Sequence, residues 1–378
     1  MQHLDLLRNR GPIGRLVACG PPVATIYSSL KSFVYPDRLE ALRAGRIAAP
    51  VHIRMKPINA CNHGCWYCAY RSEELDLQLG EGMQLKDRIP LEKMREICAD
   101  IVSMGVKAVT FTGGGEPLLY QGLPEAIRSL AKGGVQVAAL TNGALLKGDA
   151  AKALADHGAW VRVSMDGWDG PSYSESRHVG LDEFDKVMAN LAAFSKLGSR
   201  CRLSVSFIVS RANAEHIADY CKLAKDCGVR TVKLSACVVS NSGRENNAYH
   251  GAIMGTVRHQ IAKARELVDE SFELVDHYHE ADERFDKDYR TCPFARLLTV
   301  IAADQSVYTC QDKAYNEKGL LGSIKDRRFK DFWFSEENKK ALAAIDPSVM
   351  CRHHCVAHTK NKLLVDYLAL DPDHAAFV

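Results

Sequence analysis

Six short runs rich in β-branched and aliphatic residues, at 51–58, 107–112, 135–140, 160–165, 202–209 and 230–235, read as buried strands. Between them, at 91–104, 122–131, 149–157, 181–197 and 213–227, apolar residues recur every three or four positions, the signature of helices with one face against a core. Strands alternating with helices predict an α/β fold in which the strands pair in parallel through right-handed crossovers. Six units are fewer than the eight of a closed barrel, and by analogy with full barrels the chemistry is expected at the carboxyl ends of the strands. The sequence shows no internal repeat and no low-complexity segment.

The character changes after the sixth strand. A charged, helical pattern fills 250–288, and then 297–302 and 306–309 read as a hairpin around Ala303-Asp304-Gln305. That hairpin returns Cys310 to the neighbourhood of Cys292, and Cys351 and Cys355 follow three residues apart. The expected organisation is an N-terminal extension at 1–48, a barrel at 49–245, a helical linker at 246–288, and a small C-terminal unit with a tail at 289–378.

Composition narrows the partners. The 49 basic and 46 acidic residues leave a net charge of +3, too little to draw the chain to nucleic acid or an anionic membrane. No apolar run reaches the ~20 residues of a spanning helix. The N-terminus, with Asp5, Arg8, Arg10 and Arg15, lacks the apolar centre of a signal peptide, so a cytoplasmic location is expected. A disulfide framework suits thirteen cysteines poorly in a chain of this size without an export signal. Cys19, Cys98, Cys201, Cys221, Cys227 and Cys237 stand apart from any spaced group and are expected mostly as small core side chains. The other seven carry the chemistry.

Cys61, Cys65 and Cys68 lie on one short loop, Ile58-Asn-Ala-Cys-Asn-His-Gly-Cys-Trp-Tyr-Cys-Ala-Tyr70. A cubane cluster takes four thiolates, so three leave one iron open to a ligand that brings its own donor atoms. Zinc held by these thiolates and His63 is the alternative. Downstream, Gly113-Gly-Gly-Glu-Pro117 follows the second strand, where glycines allow close backbone approach and Glu116 offers a carboxylate to an ammonium group. The two motifs together resemble the radical S-adenosylmethionine (radical SAM) superfamily. The resemblance implies a partial (β/α)6 barrel and a [4Fe-4S] cluster on Cys61, Cys65 and Cys68 whose open iron holds S-adenosylmethionine. It further implies that Tyr67, Gly114, Gly115, Glu116, Asn142, Ser164, Arg177 and Leu234 bind that cofactor, with Ser164 and Arg177 on its carboxylate and the sixth strand near its adenine. A flavodoxin- or ferredoxin-like electron donor is implied as well. By their residue types alone, Asn142 and Asp166 read equally well as turn residues.

Cys292, Cys310, Cys351 and Cys355 resemble the shortened auxiliary (twitch) form of the SPASM domain, which implies a second, fully ligated [4Fe-4S] cluster. Zinc is again the alternative, with His353, His354 and His358 nearby. The expected substrate is a small polar molecule, a sugar, aminosugar or aminocyclitol, possibly nucleotide-linked, because the stretch before the barrel is short for a peptide-recognition domain and the single auxiliary site resembles that of radical dehydrogenases. Dehydrogenation is expected. Epimerisation would need Cys237, after the sixth strand, as hydrogen-atom donor. Maturation of a ribosomally made peptide is the competing expectation.

Overall fold

The computed structural model describes residues 27–71, 80–278, 285–374 and 376–377. Cys19 and the charged N-terminal residues lie outside them, as do 279–284 of the expected linker. Ten strands form one sheet: β1 (His52–Met55), β2 (Ala108–Phe111), β3 (Gln136–Thr141), β4 (Gly158–Ser164), β5 (Arg202–Val209), β6 (Thr231–Ala236), β7 (Glu273–His277), β8 (Leu298–Ile301), β9 (Ser306–Tyr308) and β10 (Leu320–Ser323). Their order is β10-β9-β8-β1-β2-β3-β4-β5-β6-β7, parallel from β8 through β7, with β9 and β10 antiparallel at one edge. The sheet does not close on itself, as a partial barrel requires.

The helices are α1 (Pro36–Arg43), α2 (Leu91–Met104), α3 (Leu123–Lys132), α4 (Gly148–His157), α5 (Gly170–Arg177), α6 (Glu183–Ser195), α7 (Ile217–Asp226), α8 (Gly243–Gly251), α9 (Met254–Arg265), α10 (Phe329–Trp333), α11 (Glu336–Ala343), α12 (Pro347–Met350) and α13 (His358–Leu368). Those between the strands cover the outer face. Ile53, Met55, Val109, Phe111, Val161, Val163, Val205 and Phe207 are fully buried in the main core, together with Ile97 and Ile101 of α2 and Ile127 of α3. Each such side chain contributes roughly 1.5–3 kcal/mol through removal from water.

Strand alternation then has a chemical consequence. Residues at odd positions of β1 and β4 face the helices, so His52, Arg54, Arg162 and Ser164 face the inside of the barrel. Arg54 and Arg162 come from strands three places apart in the sheet, yet the charge of Arg162 reaches Arg54 across the interior. The Tyr27 hydroxyl and ring meet the Arg162 guanidinium, and the same ring packs edge-on against His277 at the end of β7.

Two segments differ from the periodicity reading. Residues 273–277 lie within the charged stretch read as helical, yet they form β7, which pairs in parallel with β6 and is tied by a 2.5 Å ion pair from Arg202 to Glu273. Pairing with an open strand edge outweighs the weak helix preference of Glu-Leu-Val-Asp-His. The hairpin is present, but β8 pairs directly with β1, so the C-terminal unit continues the barrel's sheet. A parallel partner at an edge leaves no local sequence signal. Among the described residues, no helix is long and apolar enough to cross a membrane.

Candidate active site

The loop after β1 carries Cys61, Cys65 and Cys68, all partly buried and free of disulfides. The charge on Cys65 opposes ionisation of Cys61, and that on Cys68 opposes ionisation of Cys65, so Cys65 lies within electrostatic reach of both other thiols. Burial pushes the Cys61 and Cys65 thiols up, and a bound cation would reverse that. The loop is held from below by α5, since the Gly64 amide donates to the Arg177 carbonyl at 2.9 Å. His63 is held elsewhere. Its Nε2 lies 3.1 Å from Glu183, and its Nδ1 is buried without a partner.

Gly113, Gly114 and Gly115 let two backbones touch. The Gly115 amide reaches the Ile58 carbonyl, the Glu116 amide donates to the Ala60 carbonyl at 2.9 Å, and a Cβ on Gly115 would lie 2.0 Å from that same Ala60 oxygen. The glycine run is therefore clamped against the cysteine loop. Replacing Gly115 by alanine forces two backbone segments apart and should cost roughly 1–3 kcal/mol, whereas Gly255→Ala, in open space on α9, should be neutral or slightly stabilising. Thermal melting and iron content after reconstitution check this, and equal iron loading and melting for both variants would contradict it.

Glu116 is buried and satisfied from within. Its carboxylate accepts from the Thr141 hydroxyl at 2.6 Å, the Asn142 amide at 2.7 Å and the Leu118 amide at 2.9 Å. Burial raises its pKa and these donors oppose the rise. Two of these bonds join the glycine run to the end of β3 and the third caps the turn at Leu118, leaving the role on an ammonium group only what remains. Asn142 continues the connection by donating its side-chain amide to Asn62 in the cysteine loop at 2.8 Å.

Arg177 is the last residue of α5. It is 2% exposed. Its guanidinium meets Asp166 at 2.5 Å and Cys65 Sγ at 3.4 Å, while Nε has no partner. Asp166 takes up that charge here, and a cofactor carboxylate would share the guanidinium with it. Asp166 is a hub: it also accepts from the Tyr67 hydroxyl and, at 2.7 Å, from the Ile208 amide. Ser164, ending β4, faces the barrel interior. Beside Tyr67 and Asp166 opens a cavity of about 330 Å³ reached by Trp168, Ile208, Ser210 and Asn213.

Leu234 lies on the sixth strand, with its side chain on the helix-facing side. It is fully buried in the main core, so its side chain cannot reach a ligand in the barrel. Cys237 is likewise 2% exposed, and burial pushes its thiol up to about 12. The charge of Asp166 adds to that rise. Of the other isolated cysteines, Cys98, Cys201 and Cys221 are buried and Cys227 is half-buried.

The C-terminal quartet converges. The charges of Cys355, Cys351 and Cys292 all oppose ionisation of Cys310, and burial pushes Cys292 and Cys355 up to about 12. Four thiols around one space suit a closed, four-cysteine cluster. Of the nearby imidazoles, His358 Nδ1 is taken by the Tyr289 hydroxyl at 3.1 Å and His354 packs against the Phe285 ring. Among the described residues no three His, Cys, Asp or Glu side chains form a set for a single metal ion.

Between the two cysteine sites lies a polar group that sequence reading missed. Lys56 is 1% exposed, and burial lowers its pKa to about 7. Its Nζ donates to the Gly113 carbonyl at 2.7 Å and the Tyr70 hydroxyl at 3.0 Å. Tyr70 passes the connection to the Gln311 carbonyl at 2.5 Å, next to Cys310. Arg54 sits nearby with Asp312 and Arg162 as charged neighbours and no hydrogen-bond partner among the described residues. Two cations at alternate positions of a run otherwise read as buried strand were the available signal.

The family model described as "Radical SAM superfamily" matches residues 55–224 of this chain. The superfamily's [4Fe-4S] cluster with S-adenosylmethionine is the group that Cys61, Cys65 and Cys68 fit. The chain is 34% identical over 182 residues to the GTP 3',8-cyclase of Xanthomonas campestris pv. campestris (strain 8004), an alignment covering 47% of this chain and 51% of that protein. A probable GTP 3',8-cyclase of Metallosphaera sedula is 25% identical over 213 residues, covering 56% and 63%. The chain thus spans about half the length of the first of these curated relatives. In fold it is similar to Streptococcus suis SuiB bound to S-adenosylmethionine, with a TM-score of 0.60 at 14% identity over 88% of this chain and 80% of that one. It is similar also to native anSMEcpe with bound AdoMet, with a TM-score of 0.56 at 17% identity over 84% and 96%. These fold likenesses extend well beyond residue 224, into the C-terminal part that holds the second cysteine set.

Proposed function

We propose that the protein is a radical SAM enzyme that removes a hydrogen atom from a small, phosphate-bearing polar substrate, a nucleotide-linked sugar, aminosugar or aminocyclitol, and completes a dehydrogenation. When bound, the loop cluster and S-adenosylmethionine supply a 5′-deoxyadenosyl radical, and the cluster on Cys292, Cys310, Cys351 and Cys355 supplies an electron acceptor. One hydrogen atom leaves to 5′-deoxyadenosine, one proton to the medium and one electron to the auxiliary site.

The observation that carries the substrate class is the cationic barrel interior. Arg54 and Arg162 face inward and stay half-buried, the Arg162 Nε lacks a partner, and Lys56 lies beside them. Burial lowers the pKa values of Arg54, Lys56 and Arg162, and repulsion from Arg162 on Arg54 and from Arg54 on Lys56 adds to it, a cost that an anionic ligand would offset. Guanidinium groups bind phosphate with paired donors. The curated relatives are named for a reaction of GTP, which also carries phosphate.

Anaerobic incubation with reductant, S-adenosylmethionine and pools of phosphorylated sugars and nucleotide sugars should yield 5′-deoxyadenosine and a product two mass units lighter. Replacing Arg54 by alanine should raise KM for that substrate by about 10- to 100-fold, the effect of one charge-assisted hydrogen bond. Turnover of a peptide instead, with no phosphorylated substrate consumed, would favour peptide maturation and refute this reading.

A further inference from the structure

The two cysteine sites are joined by one continuous set of contacts, and Lys56 stands at its centre. It touches the Gly113 carbonyl in the glycine run on one side and Tyr70, two residues beyond Cys68, on the other. The ammonium also sits over the Tyr70 ring, 4.1 Å from its centroid. From Tyr70 the contacts reach Gln311, adjacent to Cys310. A second strand of contacts runs in parallel: the Tyr315 hydroxyl donates to Asn59, Asn59 donates to the Gln84 carbonyl at 2.9 Å, and the Tyr315 ring lies against Gly114. Tyr70 and Tyr315 share a small apolar cluster with Val300, Ala302 and Tyr308 of the β8–β9 hairpin.

We propose that Lys56 is a positioning residue that couples the two sites, so that the order of the C-terminal cysteine site sets how tightly the cysteine loop and glycine run hold S-adenosylmethionine. Lys56 acts through Gly113 and Tyr70, and need not touch either ligand. Its two hydrogen-bond partners belong to different pieces of chain, so losing the ammonium removes the tie between the Gly113 carbonyl and the Tyr70 hydroxyl that reaches Gln311. Coupling of this kind is reciprocal: whatever one site does to the other's binding, the other returns by the same factor.

The inference rests on the cofactor assignment to Cys61, Cys65 and Cys68, and a double-mutant cycle on reconstituted protein separates the two. S-adenosylmethionine affinity is measured by equilibrium binding for the unaltered protein, Lys56→Met, Cys310→Ala/Cys351→Ala, and the combination. Lys56→Met is expected to weaken binding about tenfold at unchanged iron content, and the cysteine pair to weaken it as well. Combined, the two should be no worse than the stronger single change. Lys56→Arg should restore part of the loss. Tyr70→Phe, which removes only the shared hydroxyl, should reproduce the effect if Lys56→Met fails to accumulate. Fully additive losses, or unchanged affinity in Lys56→Met and Tyr70→Phe, would overturn the coupling while leaving the cofactor assignment intact. No binding by the unaltered protein would sink the assignment and the inference together.

Discussion

Anaerobically reconstituted protein in which Cys61, Cys65 and Cys68 are all replaced by alanine is expected to hold about four irons, against about eight in the unaltered chain. The seven grouped cysteines divide three and four, on a loop and in a C-terminal quartet that share no ligand. Removing the loop set should therefore leave the quartet's cluster in place. Cleavage of S-adenosylmethionine should disappear entirely, because no other thiol set among those described leaves an iron position open. Iron analysis with electron paramagnetic resonance of the reduced protein reads both halves of the expectation. An iron content near four in the unaltered protein, accompanied by stoichiometric zinc, would show that the C-terminal quartet is a zinc site.

Asp166→Ala is expected to cost about 3–5 kcal/mol of stability, the range for removing one partner of a buried ion pair. The variant would strand a guanidinium that is 2% exposed and already has one unpartnered nitrogen. It would also orphan the Tyr67 hydroxyl and the Ile208 amide, both of which end on the same carboxylate. Because Arg177 contacts Cys65 Sγ at 3.4 Å and its carbonyl holds Gly64, the damage should spread to the cysteine loop and lower iron loading there. Asp166→Leu combined with Arg177→Met should be less damaging than the two single losses summed, since no charge is left buried alone. Denaturant unfolding of the reconstituted protein provides the comparison, and a loss under about 1 kcal/mol for Asp166→Ala would mean that water or rearrangement rescues Arg177.

Much of this molecule is legible in one dimension because its periodicities are unambiguous. A strand with helices on its outer face needs an apolar residue at every second position, and 107–112 and 202–209 supply that pattern clearly enough to place β2 and β5 within a residue. Residues 273–277 lack it. All five are half-buried, and only the exposed edge of β6 turns that segment into a strand. The motif glycines were legible as a site of close approach, but what approaches is the cysteine loop itself, from more than forty positions upstream.

The sequence by itself determined the chemistry available: three thiols on one loop, four more near the C-terminus, a glycine run ending in Glu116, and alternating strands and helices to carry them. Residue type and local spacing are enough for that, because donor atoms and hydrophobic period are properties of short segments. Tertiary structure alone decided which polar groups spend their hydrogen bonds on one another. It turned Arg177 toward Asp166, buried the Leu234 side chain on the helix-facing side of β6, and set Lys56 between Gly113 and Tyr70. Those outcomes depend on which strands become neighbours and which face each side chain takes, and a buried charge accepts whatever partner the completed sheet brings within reach.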